Sequence, residues 1–130
     1  MKKVLFVCVE NAGRSQMAEA FGRAYGLEAT SAGTVPAEKV NPIVVQVMQE
    51  RGIAIPCKPK MLTEEMIRES DLVVTMGCSV HEACPAPFVR QMEKKLVGWH
   101  IEDPKGKSIE EVRQIAKQIE NKTVELLKRN

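Results

Sequence analysis

Apolar residues recur along this chain in two rhythms, short unbroken runs and longer stretches in which they return every three or four positions. Val4-Leu5-Phe6-Val7-Cys8-Val9 is the longest unbroken run and predicts a central parallel strand covered on both faces. After Glu10-Asn11-Ala12-Gly13 the rhythm becomes helical, with Met17, Ala20, Phe21 and Ala24 on one face until Gly26 stops it. The chain therefore opens as strand, short loop, helix.

The same alternation continues. Leu27 to Ser31 reads as a weaker second strand ending at Ala32-Gly33-Thr34. Asn41-Pro42 is an N-cap followed by proline at the first helical position, and Ile43, Val44, Val47 and Met48 line that helix up to Gly52. Thr63 caps a short helix containing Met66 and Ile67; Asp71-Leu72-Val73-Val74-Thr75-Met76 follows as a third strand and Leu96-Val97-Gly98-Trp99 as a fourth. Ser108-Ile109-Glu110-Glu111 is a capping box opening the last helix, with Ile109, Val112, Ile115, Ile119, Val124 and Leu127 in phase. Trp99 and the methionines at 48, 61, 66 and 76 read as packing residues. Strands and helices joined by short links predict an α/β fold, one doubly wound parallel sheet of about four strands with helices on both faces, formed by residues 1–130 as a single domain.

Composition narrows the function. The 130 residues are 44% apolar and 28% charged, enough for a core without staples, and a net charge of only +2 asks for no nucleic-acid partner. No run approaches the ~20 apolar residues of a membrane span, and no cleavage site follows the first strand. We expect a cytoplasmic monomer, where Cys8, Cys57, Cys78 and Cys84 are kept reduced and call for a chemical explanation.

In an open α/β sheet, ligands bind beyond the carboxyl ends of the strands. The loop Val9, Glu10, Asn11, Ala12, Gly13, Arg14, Ser15 lies there, ahead of a helix N-terminus whose N–H groups and dipole suit an anion. Gly13 permits a tight backbone, and Arg14 offers a planar fork for a tetrahedral oxyanion. Cys8 heads the loop, where the same positive field favours a nucleophilic thiolate. The plain alternative is a small core residue ending a buried strand.

CVENAGRS has the cysteine, five residues, arginine, serine signature, and the chain here resembles the low-molecular-weight protein tyrosine phosphatases and their relatives, the thioredoxin-coupled arsenate reductases. The resemblance continues in order through Ser31-Ala32-Gly33-Thr34, Ser70-Asp71-Leu72-Val73-Val74-Thr75 and Asp103-Pro104. It implies that loop backbone amides bind the oxyanion, that Asp103 is a general acid, and that the Glu10 side chain turns outward. Ser15 is either a helix-start hydroxyl or a donor to Cys8, and Asn11 and Ser31 support the loop.

Two features favour a reductase. Where such phosphatases carry two tyrosines after Asp-Pro, this chain reads Lys105-Gly106, and it has only one Tyr, three Phe and one Trp to furnish a phenyl cleft. The resembling reductases carry an additional cysteine pair, matched by Cys78 and Cys84. The roles implied are attack of Cys8 on arsenate, attack of Cys78 on the Cys8 sulfur with release of arsenite, and transfer of the disulfide to Cys78–Cys84 for reduction by thioredoxin or a similar dithiol. A phosphatase acting on phosphate monoesters is the alternative, and a non-catalytic oxyanion or metal binder a second.

Some family members hold potassium beside this loop through Asn, Glu, Ser and Asp side chains. Asn11, Glu19 and Ser31 match three, but where the aspartate is expected the chain reads Lys58-Pro59-Lys60. The Lys60 ammonium is expected to supply the positive charge, leaving potassium doubtful. Cys78, His81 and Cys84 with Cys8 or Cys57 could be written as zinc ligands, yet no close CxxC pair is present. Cys57 has no derivable role.

Overall fold

A computed structural model describes residues 3–55, 58–76, 90 and 95–128. Cys57, Cys78, Cys84 and His81 lie outside the described residues.

Strand β1 (Lys3–Cys8) is followed by α1 (Arg14–Ala24), β2 (Glu28–Gly33), α2 (Pro42–Glu50), α3 (Glu64–Glu69), β3 (Leu72–Thr75), β4 (Leu96–Gly98) and α4 (Ile109–Lys128). The described sheet is parallel, in the order β2-β1-β3-β4. The first crossover thus runs to one side of β1 and the later ones to the other, a topological switch point that opens a crevice at the carboxyl end of β1. This is the doubly wound architecture expected.

The unbroken apolar run of β1 is explained by its two faces. Val4, Phe6 and Cys8 join the larger core with residues of α1, α2 and α4, whereas Leu5 and Val7 pack with Leu62, Val73 and Ile67 of α3. Trp99 is buried with its ring centroid 5.6 Å from that of Phe6. Met48 and Met76 are buried, but Met61, read as packing, is 56% exposed. It pairs edgewise with Gly33 in an isolated bridge.

The caps follow the sequence. Asn41 Oδ1 accepts from the Ile43 N–H at 3.0 Å, and Thr63 Oγ1 from the Met66 N–H at 3.2 Å. Along α4 the buried line drifts from the expected one. Thr123 and Leu126 are buried, Leu127 only flanks the core, and Val124 is half-buried. Thr123 tolerates this because its hydroxyl donates to the Ile119 carbonyl at 2.8 Å. No helix among the described residues is long and apolar enough to cross a membrane.

Candidate active site

The loop between β1 and α1 owes its shape to the segment that follows β2. The amides of Thr34, Val35, Ala37 and Asn41 donate to the carbonyls of Cys8, Val9, Glu10 and Ala12 at 2.8 to 3.2 Å. No cis peptide occurs among the described residues, so each such carbonyl turned toward residues 34–41 sends the next N–H the opposite way. Those are the amides of Val9, Glu10, Asn11 and Gly13. The Asn11 N–H ends 3.1 Å from Cys8 Sγ, which shows the direction. The loop is therefore an inward-facing set of amides at the start of α1, suited to an anion.

Two backbone positions make this possible. Asn11 takes the left-handed conformation at φ 53°, tolerated by asparagine better than by most residues. Gly33 ends β2 directly beneath the loop; a β-carbon there would lie 2.6 Å from the Val9 carbonyl oxygen and 2.9 Å from the Asn11 nitrogen. Gly13 also serves the packing around the loop, since a β-carbon on it would meet Pro104 Cγ at 2.6 Å. Gly13 thus lets the Asp103-Pro104 loop close on the start of α1.

Asn11 is the hub of a buried network. Its Oδ1 accepts from the Lys60 backbone N–H at 2.9 Å and from Gln16 Nε2 at 3.1 Å. Because a backbone N–H can only donate, this fixes the amide orientation and points Nδ2 at Ser15 Oγ, 2.7 Å, and Ser31 Oγ, 3.0 Å. Ser15 Oγ lies 2.8 Å from Cys8 Sγ; because it accepts from Asn11, its own proton is available to a Cys8 thiolate. Ser31 Oγ in turn donates to Glu19 Oε1 at 2.7 Å. Glu19 is fully buried, and Lys60 Nζ at 3.3 Å and Arg23 Nη2 at 3.4 Å stand against its carboxylate. A buried carboxylate needs such partners. Gln16 and the Lys60 backbone carry no motif that marks them in the sequence; Gln16 reaches the hub from the first turn of α1, and Lys60 because residues 60–62 pair with Gly33, through Gly33 N–H to Lys60 O at 2.8 Å and Leu62 N–H to Gly33 O at 2.9 Å.

Arg14 is nearly buried. Its Nη1 donates to the carbonyls of Met76, at 2.8 Å, and Ile101, at 3.1 Å, and its Nη2 stands 3.7 Å from Asp103 Oδ2. The guanidinium is thereby oriented by the ends of β3 and of the segment after β4. Asp103 is 53% exposed and accepts at Oδ1 from the Lys105 N–H at 3.0 Å. Glu10, expected to turn outward, is 38% exposed and pairs with Lys105 Nζ at 3.3 Å.

Cys8, the loop, Arg14 and Asp103 line one cavity of about 730 Å³ together with residues between Val35 and Pro42. Among the described lining residues there is no aromatic ring. No group of three or more His, Cys, Asp and Glu side chains suited to a metal ion occurs among the described residues.

A cysteine at the end of a central strand, an amide loop opening a helix, an arginine and a facing aspartate form a phosphatase-like arrangement suited to holding an oxyanion beside a thiol. Residues 3–129 match the family described as low molecular weight phosphotyrosine protein phosphatase, and the chain belongs to it. The glutaredoxin arsenate reductase of Synechocystis sp. is 34% identical over 132 residues, covering 98% of this chain and 97% of that protein. A solved arsenate reductase in the phosphate-binding state superposes with a TM-score of 0.86 at 33% identity, over 99% of this chain and 98% of the other. The low-molecular-weight protein tyrosine phosphatase from T. tengcongensis gives a TM-score of 0.86 at 29% identity, over the whole of both chains.

Proposed function

We propose that this protein is an arsenate reductase that turns arsenate into arsenite with electrons from its own cysteine thiols. The observation that carries the choice of substrate is the cavity wall. Cys8 opens into a space with an anion loop, Arg14 and Asp103 but no aromatic platform among the described residues, which fits a bare tetrahedral oxyanion better than a phosphorylated phenol. The naming of relatives as arsenate reductases agrees with it.

In this reading the amides of the loop and Arg14 hold arsenate, and the Cys8 sulfur attacks arsenic while Asp103 gives its proton to the departing oxygen, which leaves as water. The Cys78 thiolate then attacks the Cys8 sulfur. The arsenic–sulfur bond breaks with its electron pair moving to arsenic, so arsenic(V) becomes arsenic(III) and a Cys8–Cys78 disulfide remains. Attack of Cys84 on Cys78 frees Cys8 and leaves a Cys78–Cys84 disulfide, which thioredoxin or a similar dithiol reduces. Cys78 and Cys84 lie outside the described residues, and their assignment rests on the sequence match.

Mixing fully reduced protein with excess arsenate, with no external reductant, tests this directly. One arsenite formed and two thiols lost per chain are expected; no arsenite with unchanged thiols would sink the relay. The phosphatase reading keeps one specific support, since every described group of the site would also serve phosphoryl transfer and the tyrosine phosphatase fold superposes. Turnover of an aryl phosphate by wild type, undiminished in Cys78→Ser, would favour it.

The potassium ligand set does not fit this chain. Three of its side chains, Asn11, Glu19 and Ser31, are joined by direct hydrogen bonds, and the Lys60 ammonium stands against the Glu19 carboxylate. In this reading the Lys60 ammonium takes the place of the cation. Arsenite formation should be equal in potassium and sodium chloride at one ionic strength; a rise specific to potassium would contradict this.

A further inference from the structure

The general acid of this site must lie beside the oxygen that leaves. Any organic group on that oxygen would therefore start at Asp103 and pass Lys105, whose backbone N–H is itself bonded to Asp103 Oδ1. At that point the two segments that frame the cavity are joined: Lys105 Nζ, from the Asp103 loop, meets Glu10 Oε1, from the anion loop, at 3.3 Å. Pro104, between them, is seated on Gly13 and cannot swing aside without leaving that contact. Arsenate loses only water from this position and needs no passage.

We propose that the Glu10–Lys105 ion pair is a specificity determinant, a bridge over the leaving-group side of the cavity that disfavours phosphate monoesters and leaves bare oxyanions unhindered. It rests on the assignment of Cys8 as nucleophile and Asp103 as acid. The pair joins Glu10 of the anion loop to Lys105 of the Asp103 loop. Both side chains are partly exposed, at 38% and 71%, so the bridge is a weak one and acts through a modest free-energy difference between two ligands.

The test reads binding without turnover. Cys8 is alkylated with iodoacetamide in wild type, Lys105→Ala, Glu10→Ala and the double variant, and protection by orthophosphate or by phenyl phosphate is followed on the Cys8 peptide by mass spectrometry. In Lys105→Ala the phenyl phosphate concentration giving half protection should fall about threefold, with that for orthophosphate unmoved. In the Glu10→Ala background, Lys105→Ala should add nothing. A parallel shift for both ligands would make Lys105 a general anion attractor and overturn the bridge; so would an unmoved phenyl phosphate value, or effects of the two substitutions that multiply. If wild type forms no arsenite, the reductase assignment falls, while these protection constants still decide whether the bridge selects.

Discussion

Asn11 uses both amide hydrogens and its carbonyl oxygen inside the protein, and the direction of every bond follows from one backbone N–H, that of Lys60. Asn11→Asp keeps the size and the left-handed backbone but presents an acceptor where Ser15 and Ser31 now receive a donor. The Ser15 proton would turn to the new carboxylate and leave the Cys8 sulfur. Loss of one positioned donor at a reacting centre is worth about 100-fold, so single-turnover arsenite formation should slow by that order with the circular dichroism spectrum kept. An unchanged rate would mean that the amide orientation does not matter to Cys8. The contrast between legible and illegible residues has the same origin. Cys8, Arg14 and Asp103 are readable because each carries its chemistry in its side chain and sits in an ordered motif. Gln16 and Lys60 matter by position, Lys60 through a backbone group brought to Asn11 across 49 positions of sequence, and no local pattern announces such a contact.

At the level of elements, periodicity located every described strand and helix, and its errors have physical causes. The second strand runs Glu28–Gly33 and stops within the Ala32-Gly33-Thr34 end read from the sequence, where its ladder with β1 closes at the Cys8–Gly33 register pair. The end of α4 slips off the Val124 and Leu127 line because Thr123 hides its hydroxyl on its own helix. The start of α4 was fully legible: Ser108 and Glu111 form the reciprocal cap, with Glu111 N–H to Ser108 Oγ at 3.3 Å and Ser108 N–H to Glu111 Oε1 at 3.2 Å. Ser108→Ala should lower stability by about 1 kcal/mol at neutral pH, a fall of about 4 °C in Tm. The Ser108 backbone N–H, then its hydroxyl, holds the Glu111 carboxyl below its ordinary value. A carboxyl depressed in the folded state stabilises above its unfolded pKa and loses that contribution as pH falls through the folded one. Glu111→Gln should therefore differ from wild type in urea midpoint at pH 7 and converge with it in acid; a constant difference across the range would place the effect in the cap's shape and not in its charge.

At the level of the whole molecule, the site exists only because separate stretches of chain meet at the switch point. Arg14 is the tie among three of them, bonded to the end of β3 at Met76, to the segment after β4 at Ile101, and facing Asp103. A bound anion on the adjoining amides would engage the same assembly, so its binding must appear as global stability. Orthophosphate at about 100 times its Kd should add about 2.7 kcal/mol, raising Tm by roughly 10 °C. Cys8→Ser should keep most of that rise while abolishing arsenite formation, which separates an enzyme from a mere oxyanion binder. Arg14→Lys retains the charge but not the planar fork, and a lysine cannot bond two carbonyls and still offer a second edge to the anion. We expect it to lose most of the phosphate-induced rise and to unfold at lower temperature even without phosphate, because the Met76 and Ile101 carbonyls lose their shared donor. A lysine variant that matched wild type in phosphate-free stability would show that the three segments are held together by packing alone, and one that kept the full phosphate rise would remove Arg14 from anion binding.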